Sequence, residues 1–166
     1  MVEHNAEGAF GLVLSRPTPV TFDRLYDHIF DDAADTSVRN LLSDFPVYTG
    51  GPVQGSAVFF LHTLEAVGTE SVQPGLYLGS QAADLEQLIA RLGDDDPPKM
   101  RVFTGYSGWA PQQLEREIDE GGWLIRTATI EQVFEVSHDK LWGELLGSFG
   151  GDLGILGRLP SDPEMN

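Results

Sequence analysis

Hydrophobic residues recur at helical spacing in five stretches of the chain. Residues 22–30, 38–45 and 85–92 carry an apolar side chain at every third or fourth position, which predicts helices with one buried stripe each. Two further helices are predicted at residues 130–134 and from Ser137 onward. In the last of these, the side chains expected to face inward are Leu141, Trp142, Leu145 and Leu146. The expected N-caps are Thr21, Ser80 and Ser137.

Shorter apolar or β-branched runs, set off by turn-forming residues, predict strands. These runs are residues 9–14, 47–49, 58–63, 75–79, 100–104 and 123–128. The predicted strands and helices do not alternate regularly along the chain. The pattern therefore favours one α+β domain over a doubly wound parallel sheet.

The segment 105–109, Gly-Tyr-Ser-Gly-Trp, follows a predicted strand and precedes Pro111, which suits the first position of a helix. We therefore predict a tight strand-to-helix turn. A serine on such a turn is the nucleophile of α/β-hydrolases, in the pattern G-x-S-x-G. Here Trp109 replaces the last glycine, and only His138 follows as a triad histidine. A packed structural corner is therefore favoured over a hydrolase site.

The chain is strongly acidic, with a formal net charge of −16. Its lysines and arginines are scattered, whereas nucleic-acid binders draw affinity from clustered basic residues. Direct nucleic-acid binding is therefore disfavoured, and a protein partner is expected instead. The acidic surface is interpreted mainly as a solvating one, with the docking of a basic partner as the alternative.

Several cofactor and membrane classes have no support in the sequence. Cysteine is absent, which excludes thiolate chemistry within this chain and suits a reducing cytoplasm. No apolar run approaches the roughly 20 residues that span a bilayer. The four histidines lack the spacing of metal motifs, and no phosphate-binding glycine pattern occurs. We therefore predict a cytoplasmic protein without cofactor, metal or membrane association.

Seven short motifs are more informative together than singly. They are Glu3-His4-Asn5, Gly8-Ala9-Phe10-Gly11, Thr49-Gly50-Gly51-Pro52, Leu61-His62-Thr63, Gly105-Tyr106-Ser107-Gly108-Trp109, Gln113-Leu114-Glu115 with Glu117-Ile118, and Trp123-Leu124. Their order and spacing resemble the AlgH/YqgE family of bacterial proteins, from Glu3 to about Leu156.

The resemblance implies a fold but not a reaction. The expected fold is α+β, a single domain with a bent, bifurcated sheet that forms a pseudo-barrel flanked by helices. The family has no established activity, and its label of transcriptional regulator derives from genetics rather than from a DNA-binding motif. Position 107 can be alanine in similar proteins, which argues against a serine nucleophile.

The resemblance also sets the expected domain boundaries. We expect one AlgH/YqgE-like domain at residues 1–160 and a flexible tail at residues 161–166. Similar proteins carry a segment before the Glu-His-Asn motif that ends in an apolar strand, whereas only Met1 and Val2 precede it here. The expectation is a domain that lacks this strand and exposes a sheet edge.

The leading functional hypothesis is a non-enzymatic cytoplasmic protein that regulates or binds a protein partner. Polar motif residues on predicted turns would form its binding face. The candidate residues are Glu3, His4, Asn5, Gly50, Gly51, Pro52, His62, Gly105, Ser107 and Trp109. One alternative is an enzyme or small-ligand binder with His4 or His62 as acid/base and Ser107 assisting. The other is a transcriptional regulator without a recognisable DNA-binding motif.

Overall fold

The computed structural model describes residues 1–30, 36–67 and 70–151. Two compact units make up the chain, residues 1–123 and the part from Leu124 onward. The predicted tail, residues 161–166, lies outside the described ranges.

The first unit contains the strands and four helices. The strands are β1 (Glu3–Asn5), β2 (Gly8–Gly11), β3 (Pro17–Thr21), β4 (Pro46–Thr49), β5 (Val53–His62), β6 (Glu70–Gln73), β7 (Leu76–Gly79) and β8 (Met100–Trp109). The helices are α1 (Phe22–Ile29), α2 (Thr36–Leu42), α3 (Ala82–Arg91) and α4 (Gln113–Asp119). The second unit contains α5 (Ile130–Phe134) and α6 (His138–Gly147).

The sheet branches at β8, its central strand. The path of hydrogen-bonded neighbours runs β1-β2-β8-β5-β7-β6, and β3 and β4 form a branch beside it. On the edge of β8 opposite β5, β4 pairs in parallel with Val102–Thr104 and β2 pairs antiparallel with Ser107–Trp109. The result is a bent, bifurcated and nearly closed barrel-like sheet, as predicted.

The hydrophobic core forms where α1, α2 and α3 pack on one face of this sheet. The buried cluster comprises Phe22, Leu42, Val47, Phe60, Val67, Leu85, Leu88, Ile89, Leu92, Met100 and Val102. Each fully buried side chain of this kind contributes about 1.5–3 kcal/mol of transfer free energy. All three predicted stripes belong to the core, because the stripe of α3 is buried and those of α1 and α2 pack against it.

The predicted strand-to-helix turn at residues 105–109 is wrong. β8 continues as a strand through Trp109, and α4 begins only at Gln113. Ser107 therefore lies on a strand paired with Gly11, not on a strained nucleophile turn. Pro111 precedes α4 instead of opening it.

Three smaller predictions also fail. Residues 123–128 take no regular secondary structure, although they were predicted as a strand from their β-prone composition. The N-cap of α3 is Gln81 rather than Ser80. On α6, Leu141 and Leu146 are buried as predicted, but Trp142 is exposed.

The second unit contains a complete helix cap. The Thr129 side chain accepts a hydrogen bond from the Gln132 amide, and the Gln132 side chain accepts one from the Thr129 amide. This reciprocal capping box satisfies two donors that a helix start would otherwise leave free. Arg126 donates to the Ser148 carbonyl and lies over the Phe149 ring, 5.2 Å from its centroid.

None of the helices in the described ranges has the length and apolar content that a bilayer crossing requires.

Candidate functional site

The glycine motifs at residues 50–51 and 105 meet at the branch point of the sheet. A Cβ atom added to Gly50 would lie 2.3 Å from the Gly105 carbonyl oxygen, and one on Gly105 would lie 2.7 Å from the Gly51 oxygen. Gly105 has φ +68°, a conformation that glycine adopts at little cost. The Gly50 amide donates to the Thr104 carbonyl, so two backbones touch here without side chains between them.

Ser107 belongs to the same contact. Its hydroxyl donates to the Gly50 carbonyl at 3.4 Å, and a Cβ on Gly51 would lie 2.4 Å from the hydroxyl oxygen. Pro52 follows on the exposed surface. Gly50, Gly51, Gly105 and Ser107 therefore form a structural contact between two backbones, which we call the joint. The Ser107 hydroxyl fills the space that a side chain on Gly51 would need.

The candidate residues of β1 lie on two different faces of the sheet. Glu3 pairs with Phe10, and His4 pairs with Ala9, which in turn pairs with Trp109. Because side chains alternate along a strand, His4 and Trp109 lie on one face and Glu3 on the other, together with Phe10. The ten candidates therefore do not form one continuous surface.

On the first face, His4 is joined to α4. Its Nε2 atom lies 2.8 Å from Glu115 Oε1, with both side chains partly exposed. The backbone amide of Glu115 and the hydrogen bond from His4 lower the pKa of the Glu115 carboxyl. This pair fixes the edge strand to the helix.

Glu117 of α4 holds two tryptophans. Its Oε2 atom accepts hydrogen bonds from Nε1 of Trp109 at 3.0 Å and Nε1 of Trp123 at 2.8 Å, and its Oε1 atom accepts one from Gln113. The two indole rings meet edge to face, 5.7 Å apart. The donors from Trp123, Gln113 and Trp109 lower the pKa of the Glu117 carboxyl. This carboxylate is therefore a structural acceptor, not a proton donor at neutral pH.

The opposite face carries a small concave site between the two ends of the strand path. It has a volume of about 210 Å³. Its lining residues are Glu3, Phe10, Phe59, Glu70, Leu78 and Ser80, and we call this set the acidic aromatic depression. β1 and β6 are the two ends of the strand path, yet Glu3 and Glu70 from these strands line the same depression. The curling of the sheet thus creates the site.

Aromatic rings form the floor of the depression. The Phe10 and Phe59 rings lie 5.2 Å apart and are tilted by 59°. The Tyr106 ring contacts both, at 4.9 Å from Phe10 and 5.8 Å from Phe59. All three side chains are half-buried, so their π faces can contact a ligand.

A second concave area adjoins the depression through Glu3 and Phe10. Its volume is about 260 Å³, and it adds Asn5 and Glu7 to the lining. The Asn5 amide donates to the Glu3 carboxylate. Across both areas, the described residues of the lining include three carboxylates and no basic side chain.

His62 lies apart from the other candidates. It is fully buried and pairs with Met100, at the opposite end of β8 from Ser107. Among the described residues neither ring nitrogen has a well-formed hydrogen-bond partner, and the ring stacks on Tyr77 at 5.8 Å. Burial lowers the pKa of His62, against the opposing influence of Asp84 and the backbone at Leu64.

This geometry separates the groups of the enzyme hypothesis. Seven strand positions between Met100 and Ser107 place His62 about 23 Å from the serine along β8. His4 lies two strands across and two positions along from Ser107, or roughly 12 Å between Cα atoms. A single bridging water does not span the distance from His62 to Ser107. His4 and Ser107 are engaged with different partners, the Glu115 carboxylate and the Gly50 carbonyl.

Of the residues that line the depression, only Glu3 is among the sequence-based candidates. Phe10 and Phe59 lie in predicted strands, and Glu70 lies in no predicted element. For Phe10 and Phe59 the only sequence signal is a large aromatic at a strand position whose neighbours in the folded sheet come from distant segments. Arg101 was also missed. Its buried guanidinium donates to the Leu14 carbonyl and lies 4.7 Å from the Tyr48 ring centroid.

The fold and site define an α+β protein with a branched, barrel-like sheet and an acidic concavity lined by its strands. The AlgH-like family model matches residues 1–154, and the chain belongs to this family. It is 33% identical over 173 residues to a UPF0301 protein of Chlorobium luteolum, covering all of this chain and 82% of that protein. A UPF0301 protein of Chlorobaculum parvum is 36% identical over 168 residues, with 83% of its length covered.

Two solved structures share the fold. The solution structure of AlgH from Pseudomonas aeruginosa matches with a TM-score of 0.75 and 26% identity, over 97% of this chain and 82% of that one. A crystal structure of a Corynebacterium diphtheriae protein matches with a TM-score of 0.68 and 22% identity, over 95% of this chain and 79% of that one. The second match concerns the fold alone.

Proposed function

We propose that this protein is a non-enzymatic regulatory or protein-binding module that acts in the cytoplasm and binds its partner at the acidic aromatic depression. The observation that carries the proposal is the lining, in which the residues that the structure describes supply three carboxylates, two half-buried aromatic rings and no basic side chain. Exposed aromatic surface of this kind is typical of binding sites.

Three other motif residues form hydrogen bonds within the protein, which supports the same proposal. Ser107 bonds to the Gly50 carbonyl, His4 to Glu115, and Trp109 to Glu117. These groups maintain the joint and the position of α4, so among the motif residues Glu3, which lines the depression, is the better placed for recognition. None of the relatives' names given above specifies a reaction.

The proposal is tested by capture followed by reconstitution. The full chain is used to capture proteins from its native bacterium, and any candidate identified by mass spectrometry is purified and its affinity measured by calorimetry. A double variant, Glu3→Gln with Phe10→Leu, is expected to bind at least roughly tenfold more weakly because it removes a carboxylate and an aromatic ring.

Glu86→Gln on α3 is the matched control, since it removes an exposed carboxylate outside the depression. Equal affinity of the double variant and this control would overturn the proposed binding surface. The absence of any candidate that binds as a purified protein would overturn the binding function itself.

A further inference from the structure

The acidic aromatic depression has the electrostatics of a site for a cation. Glu3 and Glu70 face it from β1 and β6, and Glu7 lines the adjoining area. Within the described ranges, none of these three carboxylates forms an ion pair. A net charge of −16 reinforces the local negative potential.

The floor of the depression favours an organic cation over a metal ion. A metal ion needs several converging oxygen ligands, and the described residues contain no group of three or more His, Cys, Asp or Glu side chains placed to hold one. Aromatic faces attract ammonium and guanidinium groups that lie within about 6 Å of the ring centroid. The two rings contact each other at a tilt of 59°, so a flat group stacks on the ring surface that lines the depression rather than between the rings.

The size of the depression points to one side chain. Its volume of about 210 Å³ is below the roughly 300–1,000 Å³ of pockets that enclose a whole small molecule. A guanidinium is planar, stacks on aromatic rings and donates two parallel hydrogen bonds to a carboxylate.

We infer that the depression receives an arginine side chain from a basic segment of the partner protein. The guanidinium stacks on Phe59 and Phe10 and donates to the carboxylates of Glu3 and Glu70. This inference rests on the proposed protein-binding function, to which it adds the chemistry of the partner. It also selects the docking of a basic partner over a purely solvating role for this part of the acidic surface.

The test uses a peptide probe and does not need the natural partner. The ¹⁵N-labelled full chain is titrated with acetyl-Gly-Gly-Arg-Gly-Gly-amide and with the same peptide carrying citrulline, the neutral isostere of arginine. Amide shifts are expected to cluster at residues 3–10, 59 and 70–80. The citrulline peptide is expected to bind roughly fivefold or more weakly, because it lacks the charge. A lysine peptide is expected to fall between the two.

Two variants separate a specific site from general attraction to an acidic protein. Glu70→Gln is expected to weaken the arginine peptide about two- to fivefold, whereas Glu86→Gln, which changes the net charge equally, is expected to have little effect. Phe59→Leu keeps an apolar side chain and is expected to lower the preference for arginine over citrulline by about two- to fivefold.

Three results would overturn the inference: shifts scattered over the acidic surface, equal binding of the arginine and citrulline peptides, or equal effects of Glu70→Gln and Glu86→Gln. The first two are measured on the unmodified chain, so they do not depend on a variant that folds. If the peptide titration fails but a reconstituted partner still binds at the depression, the arginine inference is wrong and the protein-binding function is kept. If the peptide titration succeeds but no partner is reconstituted, the depression binds arginine and the protein-binding function is wrong.

Discussion

The joint between the backbones of Gly105 and Gly51 leaves no room for a side chain. A Cβ on Gly105 would lie 2.7 Å from the Gly51 oxygen, and its φ of +68° is costly for any other residue. We expect Gly105→Ala to lower the free energy of unfolding by about 1–3 kcal/mol. Urea denaturation measures the change. Gly93→Ala is the control, because no atom lies within 4 Å of its added Cβ, and it is expected to change stability by less than about 0.5 kcal/mol.

His62 makes stability depend on pH. Its pKa is lowered by burial in the folded state, so the unfolded chain binds a proton where the folded chain does not. The effect of His62 on the free energy of unfolding is therefore absent well above pH 6.5, the ordinary pKa of histidine. As the pH falls through that value, the free energy of unfolding decreases. The slope contributed by one proton is at most about 1.4 kcal/mol per pH unit.

The corresponding measurement compares urea denaturation at pH 7.5 and pH 5.5. His62→Leu is expected to show a smaller loss of stability between these two pH values than the unmodified chain. His138→Gln removes an exposed histidine and serves as the control. An unchanged pH dependence in His62→Leu would contradict the assignment.

At the scale of elements, Glu117 holds α4 against the end of β8. Its hydrogen bonds to Trp109 and Trp123 fix two indole rings edge to face. We expect Glu117→Ala to release both rings toward solvent and shift the tryptophan emission to longer wavelength, with a lower melting temperature. Glu120→Ala, at the C-cap of the same helix, is the control. If the two variants have the same emission spectrum, Glu117 does not hold the helix in place.

The sequence predicted correctly those elements whose sequence signals come from residues close together in the chain. The stripe of α1 and the start and end of α5 follow from residues within a few positions of each other, and both are confirmed. β1, β3 and β6 were missed, since they are only three to five residues long and mostly exposed. Their pairing depends on distant partners that local propensity does not contain.

The candidate site was predicted less completely than the helices, for a geometric reason. The motif at residues 3–5 was selected as a unit, but the alternation of a strand sends Glu3 and His4 to opposite faces. The depression combines residues from β1, β2, β5, β6 and β7. The family resemblance predicted the branched sheet correctly, but it could not show which residues line the concavity.

At the scale of the whole first unit, one strand connects the sheet. Without β8, the remaining pairings are β1 with β2, β3 with β4, and β7 with both β5 and β6. These are three separate pieces, and β8 alone pairs with a strand of each.

The position of β8 at residues 100–109 has a consequence for biogenesis. A nascent chain that ends before this strand holds three hairpin-like fragments that cannot assemble into a sheet, and their exposed edges are open to wrong partners. Assembly must then bring together segments up to about 100 residues apart, the kind of long-range pairing that slows folding. The native topology therefore cannot form until residues 100–109 have been synthesised and this strand joins the three fragments.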